Sequence, residues 1–84
     1  MPTVHRAHGL RFVIFTDDHR PAHVHVVSGG GEAKIALGVG GEPPKLVWVK
    51  GLGNADVRRA MAEIAGSQGM LRAAWVRIHG DFDC

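Results

Sequence analysis

Residues 22–37 read AHVHVVSGGGEAKIAL, and this stretch decides the fold. In an extended chain successive side chains point to opposite faces. Val24 and Val26 therefore share one face and His23 and His25 the other, while Ala33, Ile35 and Leu37 line up together in the same way. Between the two runs, SGGGE supplies glycines for a tight reversal. The stretch reads as a β-hairpin with one apolar face for a core and one face that carries imidazoles.

Working outward toward the N-terminus, TDDHRP breaks the pattern. Asp17 and Asp18 favour turns, and Pro21 forces Arg20 out of helical geometry. Before it, TVHRA and LRFVIFT are two further strands joined by the short turn HGL, hence antiparallel. Phe12 and Ile14 fall on one face and Val13 and Phe15 on the other, so this second strand is central and covered on both sides. Toward the C-terminus, Pro43 and Pro44 exclude an internal strand in GVGGEPP. KLVWVK is the candidate fifth strand, with Trp48 as its anchor, and GLGN closes the β half.

From Asn54 the period changes from 2 to 3.6. Val57, Ala60, Met61, Ile64 and Ala65 form one apolar stripe, and Leu71, Ala74, Trp75 and Ile78 form a second. Asn54 is the expected N-cap, with Asp56 favourably placed in the first turn. The stripes stay in phase, so one helix is conceivable, but it would run about 37 Å at 1.5 Å per residue. Gly66 and Gly69 would each cost about 1 kcal/mol in its interior. Two helices fit better, with Gly66 ending the first and Ser67 capping the second.

The expected architecture is α+β: an antiparallel sheet of four or five strands in the N-terminal half, covered by two C-terminal helices, as a single domain over residues 1–84. The expected core is Phe12, Ile14, Val24, Val26, Ile35, Leu37, Trp48, Val57, Met61, Ile64, Leu71, Trp75 and Ile78.

Composition narrows the function classes. Of 84 residues, 45% are hydrophobic and 21% charged, an ordinary balance for a globular domain. Ten basic and eight acidic residues give +2, with six histidines able to add charge in mild acid. That permits nucleic-acid contact without the dense Lys/Arg stripe of a dedicated binder. The one cysteine, Cys84, can make neither an internal disulfide nor a zinc cluster. No apolar run approaches a membrane span and no signal peptide is recognisable, so the expected setting is a prokaryotic cytoplasm, with no membrane contact.

The order of motifs resembles a small bacterial domain-of-unknown-function family. The likeness rests on MPTV at the start, RF before an apolar strand, DHRPAHVHV, GGGEAKIAL and the AW of the last helix. It is strongest from Thr16 to Leu37, against a His-x-Pro-x-His-Val-His-Val pattern. Ala22 stands where the family usually has a second proline. FVIF replaces an aromatic-rich strand, and GVGGEPPKLVWVK and RIHGDFDC depart from the pattern. The resemblance implies a toxin–antitoxin-like pair, formed with a small protein encoded nearby. It implies no settled activity.

The chemistry concentrates in DDHRPAHVHVV, Asp17 to Val27, and four readings stand side by side. His23 and His25, with Cβ atoms about 7 Å apart on one strand face, can converge on a divalent metal such as zinc. His19 or Asp17 would supply a third ligand and leave a position open for water. Alternatively His23 and His25 act as acid and base on an RNA 2′-hydroxyl, with Arg20 or Lys34 stabilising the transferring phosphoryl charge, as in a small ribonuclease. Third, His19, Arg20, His23, His25 and Lys34 form a basic face for nucleic acid or an acidic protein partner. Fourth, the histidines are neutral and satisfied by carbonyls.

The remaining features are structural on this reading. SGGGE lacks the Lys-Ser/Thr and following helix of a phosphate loop. Arg58, Arg59, Arg72 and Arg77 form a solvated face rather than a DNA-reading helix-turn-helix. Both tryptophans are core anchors. His5 and His8 are surface positions, His5 being a further candidate for the cluster. A homodimer is compatible with the sequence.

Overall fold

The computed structural model describes residues 3–15, 22–38 and 41–80. Five strands come first: β1 (Thr3–Ala7), β2 (Leu10–Val13), β3 (His23–Ser28), β4 (Gly31–Ala36) and β5 (Lys45–Lys50). Two helices follow, α1 (Asn54–Gly66) and α2 (Gln68–His79). The strands form one antiparallel sheet in chain order, β1-β2-β3-β4-β5, as expected of an α+β chain. All five expected strands are present, KLVWVK included, although β2 ends at Val13 and β4 starts at Gly31, inside the expected loop SGGGE.

Local chemistry sets the turns. His8 (φ 56°) and Gly9 (φ 75°) give the β1–β2 reversal the left-handed backbone that two-residue hairpins require. Gly31 opens β4 where the β5–α1 connection crosses it. A Cβ there would run into the Gly51 carbonyl and the Leu52 side chain, so only glycine fits.

The core lies between one sheet face and the helices. Phe12, Val26 and Ala33 align across β2, β3 and β4, and Val24 pairs with Ile35 beside them. Against this face pack Ala60 and Ile64 of α1 and Leu71, Ala74 and Trp75 of α2, all fully buried. Leu10, Ile14, Ala22 and Leu37 complete the cluster, with Met61 and Ile78 at its edge. Val13 is buried too, although it points the other way, as expected of a strand covered on both sides.

Three expectations need correction. Trp48 is not a core anchor: β5 is an edge strand and Trp48 remains 41% exposed. Val57 is only half-buried and Ala65 exposed, because α1 buries a narrower stripe than its sequence offers. Neither helix is capped by a side chain: Asn54 is already helical behind Gly53, and Ser67 acts through its backbone. The Ser67 N–H donates to the Ile64 carbonyl at 3.0 Å and its carbonyl accepts from Leu71 at 2.9 Å. One residue thus ends α1 and starts α2, so the chain has two helices. Gly80 ends α2 in the left-handed region at φ 82°.

Candidate functional site on the outer sheet face

Both helices contribute their buried residues to the core face, so the alternate residues of each strand define an outer face. The registers arrange it in rows. Arg6, Arg11, Val27, Glu32 and Lys50 are successive cross-strand neighbours from β1 to β5. Thr3, Val13, His25, Lys34 and Trp48 form the next row. His23, Ala36 and Lys45 follow. Neighbouring strands lie about 4.8 Å apart. Among the described residues, this face sets Arg6, Arg11, Lys34, Lys45 and Lys50 around His25, with Glu32 as its carboxylate.

His25 is the best-defined member. Its Nδ1 lies 2.8 Å from Oε2 of Glu32, a residue displaced by one row on the adjoining strand. Its side chain is 12% exposed, against 39% for Glu32. Phe15 meets the ring edge-on at 4.7 Å between centroids, and Trp48 stands at 6.1 Å. A carboxylate at one ring nitrogen fixes the orientation of an imidazole.

His23 behaves differently from the expectation of an open-faced pair. Its ring lies 5.1 Å from His25, so the two histidines do come together. Yet it is buried, and its ring is 5.3 Å from Trp75 of α2. His23 occupies the first position of β3, at the sheet end that α2 passes. There Trp75 stacks on His79 at 4.1 Å, and His79 Nε2 lies 3.1 Å from the Phe15 carbonyl oxygen. His23 thus joins the outer face to the helix layer.

His5 does not join this group. It lies on the core face, with Nε2 2.6 Å from Glu63 Oε2 of α1, while His8 Nε2 lies 3.5 Å from the other oxygen. The hydrogen bond to His5 holds the Glu63 carboxyl below its ordinary pKa, with the nearby charges of His5 and His8 acting in the same direction. His5 is thus no bare surface position, while His8 stays exposed as expected. They tie the β1–β2 hairpin to α1.

Of the sequence-derived candidates, the described residues bring together His23, His25 and Lys34. Asp17, His19 and Arg20 lie outside the described residues. A zinc site built on His23 and His25 needs one of those residues. Among the described residues, no group of three or more His, Cys, Asp or Glu side chains is placed to hold a metal. Glu32, Arg6 and Arg11 were missed by sequence reasoning. The alternation that put Lys34 opposite Ile35 also puts Glu32 on its face, so that signal was present. Arg72 was assigned to a solvated face, but its guanidinium donates to the Gly38 carbonyl at 2.7 Å. Gln68 adds contacts to Gly38 and to the Glu42 carbonyl, so α2 holds the β4–β5 loop.

A five-stranded antiparallel meander with helices on one face and imidazoles and cations on the other defines a two-layer α+β protein. The chain belongs to the family described as "Domain of unknown function (DUF4160)", whose family model matches residues 9–76. No curated protein and no solved structure matches it. Among the described residues, no helix is long and apolar enough to cross a membrane.

Proposed function

We propose that the chain works through a partner protein, as one half of a toxin–antitoxin-like pair, with the outer sheet face as its docking surface. The observation that supports this reading is the cationic face of the sheet opposite the helices. The helices occupy one face, while the other carries Arg6, Arg11, Lys34 and Lys50 around His25 and Trp48. Such a field steers an acidic partner and raises its rate of encounter, with a steep dependence on salt. The test is co-expression with the product of the neighbouring small gene. The partner should co-purify, relieve any growth arrest, and be lost at high salt or in an Arg11→Glu/Lys34→Glu variant. A chain that neither affects growth nor retains that partner would sink the reading.

A second reading is favoured by one specific observation, the 2.8 Å contact of His25 with Glu32 beside His23. A carboxylate-oriented imidazole suits a general base, and Lys34 in the next strand suits a phosphate, which together make a histidine-dependent ribonuclease. Cleavage of RNA in the presence of chelator, lost in His25→Ala, would favour the enzyme over the binding module.

A further inference from the structure

One edge of the sheet carries apolar surface that the fold does not use. Every residue of β5 is exposed. Leu46, Val47, Trp48 and Val49 are 38%, 51%, 41% and 42% exposed, consecutive along one strand. The opposite edge shows nothing similar, since Val4 of β1 packs against the core. An edge strand presents backbone donors and acceptors that another extended segment can pair.

The charges say what that segment is. Lys45 and Lys50 bracket the four apolar residues, and neither is in an ion pair among the described residues. Glu32 is the cross-strand neighbour of Lys50, but its Oε2 is engaged by His25. A second copy of β5, paired antiparallel in register, would set Lys45 of each chain against Lys50 of the other. Like charges directly opposite one another are destabilising. The irregular register at Lys34/Ile35, which leaves Val47 between the paired Leu46 and Trp48, bends the strand and opposes flat self-pairing further. A partner strand with acidic residues at both ends and apolar residues between reverses the first of these penalties.

The geometry points to β5 as the docking edge for an extended, acid-bracketed apolar segment of the partner protein, added to the sheet as a sixth strand. This inference rests on the reading that the chain works through a protein partner. It extends that reading by naming the edge used and the chemistry of the segment that occupies it.

The experiment titrates isotope-labelled full-length chain with two synthetic hexapeptides, Asp-Ile-Val-Thr-Val-Glu and Lys-Ile-Val-Thr-Val-Lys, and follows backbone amide shifts. The acidic peptide should shift the β5 amides and slow their hydrogen exchange, and the basic peptide should not. In Lys45→Glu/Lys50→Glu the preference should invert, the acidic peptide binding about tenfold or more weakly and the basic one gaining. Because both lysines are exposed, the variant should keep the wild-type spectrum elsewhere.

Indifference of both peptides, or binding unchanged by charge reversal, would overturn the proposal. So would a concentration-dependent dimer that shifts the β5 amides, or a single-stranded oligonucleotide that shifts them in place of the acidic peptide. Co-purification of the neighbouring gene product is scored separately with the same variant. A partner that still binds Lys45→Glu/Lys50→Glu leaves the partner reading standing and removes the edge. A partner that never binds removes the reading itself.

Discussion

Replacing Trp75 with alanine tests the layer structure most directly. Trp75 is fully buried, and its ring contacts His23 of β3 and His79 of α2. A buried tryptophan removes roughly 200 Å² from water, which at about 25 cal/mol per Å² is near 5 kcal/mol. Measured truncations of buried aromatics cost about 3–5 kcal/mol, cavity included. At about 0.05–0.15 kcal/mol per residue, an 84-residue domain has only about 4–13 kcal/mol to lose. Trp48→Ala is the internal control. Trp48 is 41% exposed on an edge strand, so solvent fills the vacated space, and the loss should be at most about half as large. Urea melts followed by circular dichroism measure both variants. Trp75→Ala should move the midpoint far below wild type, or leave a chain with no cooperative transition. If Trp48→Ala costs as much as Trp75→Ala, the assignment of α2 to the core and of β5 to the open edge is wrong.

The two neighbouring histidines should separate. His23→Ala should cost about 1–3 kcal/mol in denaturant melts, because it opens a gap beside Trp75, whereas His25→Ala should stay within about 1 kcal/mol and act on partner binding or cleavage instead; equal stabilities would refute the division. Glu63→Gln should destabilise near neutral pH. The lowered Glu63 pKa contributes stability that is present above the carboxyl's ordinary value and lost as pH falls through its folded value, so the gap between wild type and Glu63→Gln should narrow as pH falls below the ordinary carboxylate value. A gap that widens on acidification would mean that the contact with His5 and His8 is not what holds that carboxyl down. Gly31→Ala should lower stability by about 1–3 kcal/mol, since its new methyl meets the Gly51 backbone, which cannot turn away as the Leu52 side chain beside it can; an unchanged melt would show that the β5–α1 connection has room to shift.

Much of this fold was legible because two periodicities do not overlap. The alternation in AHVHVV and AKIAL put Val24, Val26, Ala33 and Ile35 on one face, and the 3.6-residue stripes put Ile64, Leu71 and Trp75 against it. The errors came where periodicity leaves the answer open. KLVWVK reads as a strand wherever it lies in a sheet, and only the strand order makes it an edge and exposes Trp48. His23 obeys the alternation, but its place at the end of β3 brings it under α2, which no local pattern records. The contact of His5 with Glu63 spans 58 residues, so no local pattern records it either. The outer face was legible in part: the histidines and Lys34 were visible, whereas Arg6 and Arg11 lay on two strands, β1 and β2, whose register against β3 could not be read.

The strand order also bears on how the chain reaches this state. Each strand pairs with its immediate predecessor, so no sheet contact waits for a distant segment. Chains rich in such neighbour pairings close small loops first and fold quickly for β-containing proteins. The contacts that span the most sequence are those of α1 and α2, Phe15 with His79, His5 with Glu63 and His23 with Trp75. The sheet can therefore zip up in order as the chain lengthens, whereas its apolar inner face stays wet until the helices, which begin at Asn54, arrive. During that interval Phe12, Val26 and Ile35 are open to any other sticky chain, which makes prompt arrival of the helices the step on which clean production of this protein depends.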